Sequence, residues 1–356
     1  MSFLPVTQGW RGPGDKDGEI VVPPLSENGR HGSARGTFEH WYFDARLDDG
    51  TCVVGFLQTA ELITKRPGVE LHVYRPDGTR VEIRKPYPVA AVRAATDRAD
   101  VQVGHNYARI VEDPDGGLPS YVVHLHEDGV RFDLTFRTAV QPWQPGFGRS
   151  TFGQRDFFAW IVPAPRADVT GTITLDGVTR EVRGLGYHDH NWGQGFMPRI
   201  VRRWYWGRIY AEDFSLVYAT IGLNPKRFGP DYWIKPLMLA HRDRVVVSTG
   251  EVAMVEGPQV FNAEAGTTYP EYFEVKSDTV SLRLDVQRII HAHSFLDDVP
   301  GLSKPGVRVV AKPVLGRLVG HPGYFRFESD FTLVATVDGQ TYERSGRTLH
   351  EMVALR

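Results

Sequence analysis

Short runs in which apolar and polar residues alternate recur along the whole chain, separated by turns rich in Asp and Gly. Phe38 to Leu47 and Thr51 to Ala60 flank Asp48-Asp49-Gly50, and Leu71 to Tyr74 and Arg80 to Ile83 flank Pro76-Asp77-Gly78. The device returns where Tyr121 to His126 and Val130 to Phe136 enclose Glu127-Asp128-Gly129, and where Thr170 to Leu175 and Val178 to Val182 enclose Asp176-Gly177. A period of two marks half-buried strands, and Asp-Gly supplies the positive φ that tight hairpins require. In the second half, Trp204 to Ile221, Val245 to Gly250, Thr279 to Ile289 and Tyr324 to Val337 read as further strands, the last closed by Asp338-Gly339. Helical spacing of apolar residues is not sustained beyond two turns, so the pattern predicts an all-β antiparallel sandwich or barrel. A barrel also removes exposed sheet edges.

A chain of 356 residues exceeds what one hydrophobic core usually holds, which predicts two domains. Residues 1–35 are rich in Gly, Pro and Arg and are read as an arm, wrapped on the surface or mobile, followed by domains over 36–197 and 198–356. The expected junction is Gly193 to Arg203, where Gly195 and Pro198 interrupt the strand pattern. Gln141 to Arg155 mixes chain breakers with aromatics, as a loop over a pocket does, and a second aromatic loop follows Asn224, with Phe228, Pro230, Tyr232 and Trp233.

Composition narrows the function classes. A net charge of -2 gives no electrostatic case for nucleic acid or an anionic membrane surface. The single cysteine, Cys52, rules out an internal disulfide. No run reaches the roughly 18 apolar residues of a membrane span, and the first residues lack a secretory pattern, so a cytoplasmic protein is expected. The aromatic share of 12%, with 8 Trp, is high and calls for an explanation.

Candidate chemistry is concentrated in Tyr187-His188-Asp189-His190-Asn191-Trp192-Gly193. On a strand, Tyr187, Asp189 and Asn191 share one face, and His188, His190 and Trp192 the other. An Asp on the inward face of an apolar barrel is desolvated, which raises its pKa and fits it to donate a proton. Such an acid beside aromatic ring faces suits a polyene, since it protonates a double bond or hydrogen-bonds a carbonyl while the rings stabilise developing positive charge. A structural hydrogen-bond network around Asp189 is the equal alternative. His188 and His190 form an H-x-H pair, with His105, His124, His126, His291 or His293 as remote third ligands, but recognisable ligand spacing is missing and no metal is expected. Arg149, Arg155, Arg202, Arg203 and Arg208 stand near the loops expected around the pocket and favour a substrate with polar groups; solvation or pairing with carboxylates is the alternative for each.

The chain also resembles the hydroxyneurosporene synthase (carotenoid 1,2-hydratase) and AttH-like proteins over about residues 37 to 356. The resemblance rests on Glu39-His-Trp-Tyr-Phe-Asp44, Trp160-Ile-Val-Pro163, Gly186-Tyr-His-Asp-His-Asn-Trp-Gly193, Trp206-Gly-Arg208, Tyr324-Phe-Arg-Phe and Leu349-His-Glu. It implies two tandem lipocalin-like (calycin) antiparallel β-barrel or sandwich domains. It further implies that Tyr187, Asp189 and Trp160 are the catalytic residues, matching those implicated in protonating and hydrating a terminal alkene. Trp41, His190, Asn191, Trp192, Trp206 and Arg208 are the expected substrate-binding residues. The same architecture serves polyketide pericyclases, so the resemblance points to a substrate type more than to a reaction. The expected function is cofactor-free [4+2] cyclisation of a hydrophobic, polyketide-like polyene. Carotenoid-type hydration and non-catalytic carriage of an apolar ligand are the alternatives, separable because hydration adds one water and cycloaddition leaves the mass unchanged.

Overall fold

The computed structural model describes residues 3–7, 9, 18–32, 36–62, 64–298 and 321–355. Much of the expected arm over 1–35, namely 1–2, 8, 10–17 and 33–35, lies outside the described residues, as do 299–320 and 356 of the expected second domain. The chain divides into two compact units, one over Val6–Phe196 with Ala240–Val245, the other over Met1–Pro5, Met197–Leu239 and Val246–Arg356. Both are built from antiparallel sheet, as the alternating pattern requires.

In the first unit the strands are β1 (Thr37–Leu47), β2 (Cys52–Ala60), β3 (Gly68–Tyr74), β4 (Arg80–Pro86), β5 (Val92–Ala94), β6 (Asp100–Val103), β7 (Asn106–Val111), β8 (Ser120–Glu127), β9 (Val130–Thr138), β10 (Asp156–Leu175) and β11 (Val178–Gln194). They form one continuous path in the order β4-β3-β2-β1-β11-β10-β9-β8-β7-β6-β5. The four Asp-Gly hairpins expected from sequence all form. Asp128-Gly129 and Asp176-Gly177 take positive φ at both positions (47° and 84°, 53° and 78°), the combination that matches the right-handed twist of paired strands. The sheet curls on itself, so that a Cβ added to Gly55 on β2 would stand 2.3 Å from Leu125 Cδ1 on β8. Trp41, Phe43, Leu71, Val123, Phe136 and Val169 belong to the core this enclosure buries.

The second large sheet holds β12 (Val201–Ala211), β13 (Phe214–Leu223), β14 (Leu237–His241), β15 (Arg244–Thr249), β16 (Ala253–Glu256), β17 (Tyr272–Lys276), β18 (Val280–Ser294), β19 (Gly323–Val337) and β20 (Gln340–Ala354). Its path runs β15-β14-β13-β12-β20-β19-β18-β17-β16, around a core that includes Tyr205, Ile209, Phe273, Phe327 and Met352. The two units repeat one wiring, since in each the last long strand returns to pair with the first (β11 on β1, β20 on β12). The run Trp204 to Ile221 is a hairpin rather than one strand. Its turn, Glu212-Asp213, reaches positive φ (50°) at Glu212 without glycine, which is why the pattern hid it.

Two expectations about loops change. Gln141 to Arg155 is tied to the first sheet: Trp143 is bridged to Val162 and buried, and Arg149–Phe152 pairs with the start of β10. Within the expected arm, Leu25–Asn28 forms a single 3-10 turn rather than a loose surface segment. Asn28 there is buried, accepting from Trp41 Nε1 at its carbonyl (3.0 Å) and reaching His188 Nε2 with its side-chain amide (3.0 Å). No described helix is long and apolar enough to cross a membrane.

Candidate active site

Strand β11 carries the motif, and its alternation is the one expected, but the face assignment is reversed. His188 and His190 point into the core of the first unit, and Tyr187, Asp189 and Asn191 lie on the opposite face of the sheet, buried all the same. The histidines are accommodated inside because both ring edges find partners. His188 stacks on Phe43 (4.0 Å between centroids, 4° between planes) and its Nδ1 donates to the Tyr42 carbonyl (2.9 Å). Burial pushes His188 down to about 3, so its imidazole is neutral. His190 stacks between Trp41 (4.2 Å) and Trp192 (4.8 Å), with Nδ1 at the Glu27 carbonyl (3.1 Å) and Nε2 at Glu39 Oε1 (3.3 Å).

Trp41, His190 and Trp192, expected as substrate contacts, therefore lie on the other side of the sheet from the carboxylate. The physical reason is the period of two: residues adjacent in sequence to Asp189 face away from it. Among the described residues no group of three His, Cys, Asp or Glu is arranged to hold a metal ion, and the H-x-H pair serves packing and hydrogen bonding within the sheet.

On the other face three donors converge on one carboxylate. Asp189 Oδ2 accepts from the Tyr187 hydroxyl and from Trp160 Nε1, both at 3.0 Å, and Oδ1 accepts from Asn191 Nδ2 at 2.8 Å. Trp160 reaches it from β10, where it stands directly opposite Asn191. Pro163 and Pro165 follow it and cannot donate to the ladder, and the register shifts between Ile161 and Ala164 and again before Ala167. Those irregularities separate the stretch carrying Trp160 from the regular barrel strand beyond. Trp143 braces its indole edge-on, 5.4 Å away at 87°. These three donors satisfy both oxygens of the buried carboxyl group.

The neighbouring strands extend the face with residues that sequence reasoning passed over. On β1, Tyr42 stands opposite Asp189, Asp44 opposite Tyr187 and His40 opposite Asn191. The Tyr42 hydroxyl donates to Asp44 Oδ2 at 2.7 Å, and the rings of Tyr42 and Tyr187 meet edge-on at 6.1 Å. Beyond them Phe56 packs on Tyr42, and on β3 Glu70 accepts from Gln58 Nε2 (3.0 Å) and pairs with His72 (3.2 Å). Burial opposes the charge of Glu70, but His72, Arg84 and Gln58 outweigh it and hold the carboxyl below its ordinary value. Burial also pushes His40 down to about 4, with His190 adding to the effect. The sequence carries a signal for them in Tyr42-x-Asp44, which repeats the Tyr187-x-Asp189 spacing.

Trp206 and Arg208 lie on β12 of the second unit, on the strand face away from that unit's core residues Tyr205 and Ile209. Glu351 stands opposite Trp206, and Arg208 lies over the Tyr210 ring at 5.3 Å. Of the other arginines expected near a pocket, Arg202 pairs with Asp231, Arg203 with Glu256 and the Tyr205 hydroxyl, and Arg149 stacks on Phe157.

A family model described as "Domain of unknown function (DUF7064)" matches residues 25–286. The chain is 37% identical over 71 residues to a hydroxyneurosporene dehydrogenase of Chlorobaculum tepidum, covering 18% of this chain and 19% of that protein. It is 26% identical over 205 residues to the quinolone epoxide rearrangement protein penF of Penicillium thymicola, covering 53% of this chain and 56% of that one. The matches thus span well under two thirds of either relative's length. Among solved structures, an AttH-type protein of Nitrosomonas europaea superposes with a TM-score of 0.61 at 15% identity, over 95% of this chain and 98% of its own. CghA with Sch210972 gives 0.62 at 14% identity over 99% of each chain. Kievitone hydratase from Nectria haematococca gives 0.56 at 15% identity, over 94% and 93%. The fold is therefore the one these proteins share, as the resemblance to AttH-like, lipocalin-like proteins implied.

Proposed function

This chain belongs to the DUF7064 family, and we propose that it is a cofactor-independent enzyme that folds a hydrophobic, polyketide-like polyene for intramolecular [4+2] cyclisation at the Asp189 cluster. The observation that carries the reading is the convergence of Tyr187, Trp160 and Asn191 on one buried carboxylate. A carboxylate so held fixes the Tyr187 hydroxyl as a hydrogen-bonding and proton-transferring group beside aromatic faces. Holding a flexible substrate in its reactive conformer lowers a barrier by roughly 7 kcal/mol or more. A relative named for a quinolone epoxide rearrangement and a structural neighbour named kievitone hydratase support a reading of this kind. We take 1–35 as an arm and 36–197 and 198–356 as the two domains.

A second reading, hydration of an alkene, is favoured by one observation: the three residues that the resemblance implies for the carotenoid hydratases, Tyr187, Asp189 and Trp160, form one hydrogen-bonded cluster. Deleting the gene in its host and comparing metabolites by mass tests the proposal. A cyclase leaves an open-chain precursor of the same mass as the missing product, which the purified protein then converts. A hydratase leaves one lighter by a water, and the protein inserts oxygen from labelled water. A precursor bound by the protein and never converted contradicts both readings and makes the chain a carrier.

A further inference from the structure

Four residues form one row across the face that carries Asp189: Trp160 on β10, Asn191 on β11, His40 on β1 and Gln58 on β2, each the register partner of the next. Directly paired residues of antiparallel strands share a face, with Cα atoms about 4.5 to 5.5 Å apart. His40 therefore stands one strand from Asn191 and two from Trp160, both of which hold the Asp189 carboxyl group. Three members of the row have committed their side-chain donors, since Trp160 Nε1 and Asn191 Nδ2 bond Asp189 and Gln58 Nε2 bonds Glu70. His40 differs. Its imidazole has Phe38 at 6.5 Å and Phe56 edge-on at 5.7 Å as ring neighbours, and no group among the described residues hydrogen-bonds it. It is also half-buried, where Trp160, Asn191 and Gln58 are buried. Polar side-chain atoms drawn into a protein nearly always find a partner, so this ring is open to one that the chain does not supply.

We propose that His40 is a substrate-binding residue of the site, whose imidazole hydrogen-bonds a carbonyl or hydroxyl oxygen of the substrate and so orients the chain of that substrate along the Asp189 cluster. Burial, with His190 adding to it, pushes His40 down to about 4 against the opposing pull of Glu70 and Glu39, so near neutral pH the ring is uncharged and offers one N–H and one lone pair. Such a ring suits an uncharged oxygen. An anionic group gains no ion pair from it and meets the charge of Glu70, which His72, Arg84 and Gln58 keep against the cost of burial. The apolar part of the substrate finds rings on both sides of that oxygen, because Phe38 packs on Phe158 at 5.7 Å and Phe56 on Tyr42 at 4.8 Å. The inference rests on the reading above and adds to it that the substrate carries a carbonyl or hydroxyl group close to its reacting carbons.

Two measurements test this. The first needs no variant: the wild-type protein is treated with diethyl pyrocarbonate, which acylates neutral imidazole, and digested with trypsin. His40 is the one histidine of the tryptic peptide 36–46, and His188 and His190 share the peptide 184–199. Peptide 36–46 is expected to be modified and 184–199 spared, since both of its rings are buried and hydrogen-bonded. Saturation with the precursor that accumulates on gene deletion is expected to protect 36–46. The second measurement is steady-state turnover of the same precursor by His40→Phe, which keeps a ring between Phe38 and Phe56 and removes both nitrogens. KM is expected to rise about 3- to 10-fold while kcat changes less than about twofold, the signature of a lost binding contact rather than of a damaged fold. Equal modification of 36–46 with and without precursor, or a His40→Phe enzyme with the wild-type KM, means that the ring meets solvent alone; either result overturns the role of His40 and leaves the cyclase reading standing. Protection by a precursor that the wild type never converts keeps the role of His40 and overturns the cyclase reading instead.

Discussion

Trp160 Nε1 donates to Asp189 Oδ2 across 3.0 Å, although 29 positions separate the two residues. The contact exists because β10 and β11 form one long hairpin about Asp176-Gly177 in which Trp160 stands opposite Asn191. Replacing Trp160 with Phe keeps most of the ring and removes one hydrogen bond to a charged group, worth about 1.5 to 3 kcal/mol. Turnover of the deletion precursor per folded molecule is expected to fall roughly 10- to 100-fold, and stability by about 1.5 to 3 kcal/mol. Trp41→Phe is the control: it loses the bond to the Asn28 carbonyl inside the core, so stability is expected to drop by about 1 to 3 kcal/mol while turnover per folded molecule stays.

Gly186 precedes Tyr187 and has no room for a side chain. A Cβ there would lie 2.5 Å from Val169 Cγ2, 2.6 Å from Phe136 Cε1 and 2.8 Å from the Asp44 carbonyl oxygen. Gly186→Ala is therefore expected to destabilise the first unit by about 1 to 3 kcal/mol and to displace Asp44 against Tyr187. Urea unfolding measures the first effect, and turnover of the deletion precursor per folded molecule the second.

His188 and His350 occupy matching positions, each inside its own unit on the strand that returns to the first, and burial pushes both down to about 3. His350 is held at Nε2 by the Ser329 hydroxyl at 2.8 Å. In the unfolded chain both titrate near pH 6.5. Above that value they are neutral in both states and contribute no pH dependence. As pH falls below it, the unfolded chain binds protons that the folded chain refuses, so stability is lost progressively down to about pH 3. Each histidine is expected to take away roughly 1.4 kcal/mol per pH unit across that window. Urea unfolding at pH 7.5, 6 and 5 checks the slope, and a flat profile between pH 6.5 and 5 contradicts it.

The hairpins at Asp128-Gly129, Asp176-Gly177 and Asp338-Gly339 were legible because their turn chemistry is local. The Glu212 turn was not, because two acidic residues there adopt a conformation usually marked by glycine. Alternation correctly separated Tyr187, Asp189 and Asn191 from the histidines, yet it could not say which set faces the core. An imidazole looks polar in a sequence, and only the fold shows His188 donating to a backbone carbonyl 146 positions away and stacked on Phe43. Tyr42 and Asp44 were hidden for a related reason: their spacing was visible, but the pairing of β1 with β11 that sets them beside Asp189 is a long-range contact.

The central claim is that the Asp189 carboxylate takes part in the chemistry. Asp189→Asn changes one atom and keeps Oδ1 as an acceptor for Asn191, so the fold is expected to survive, as circular dichroism and thermal melting can establish. The decisive measurement is single-turnover conversion of the deletion precursor by this variant beside the wild type. A fall in rate of about 100- to 10,000-fold with binding retained is the predicted result. A variant that binds the precursor and converts it at the wild-type rate contradicts the account.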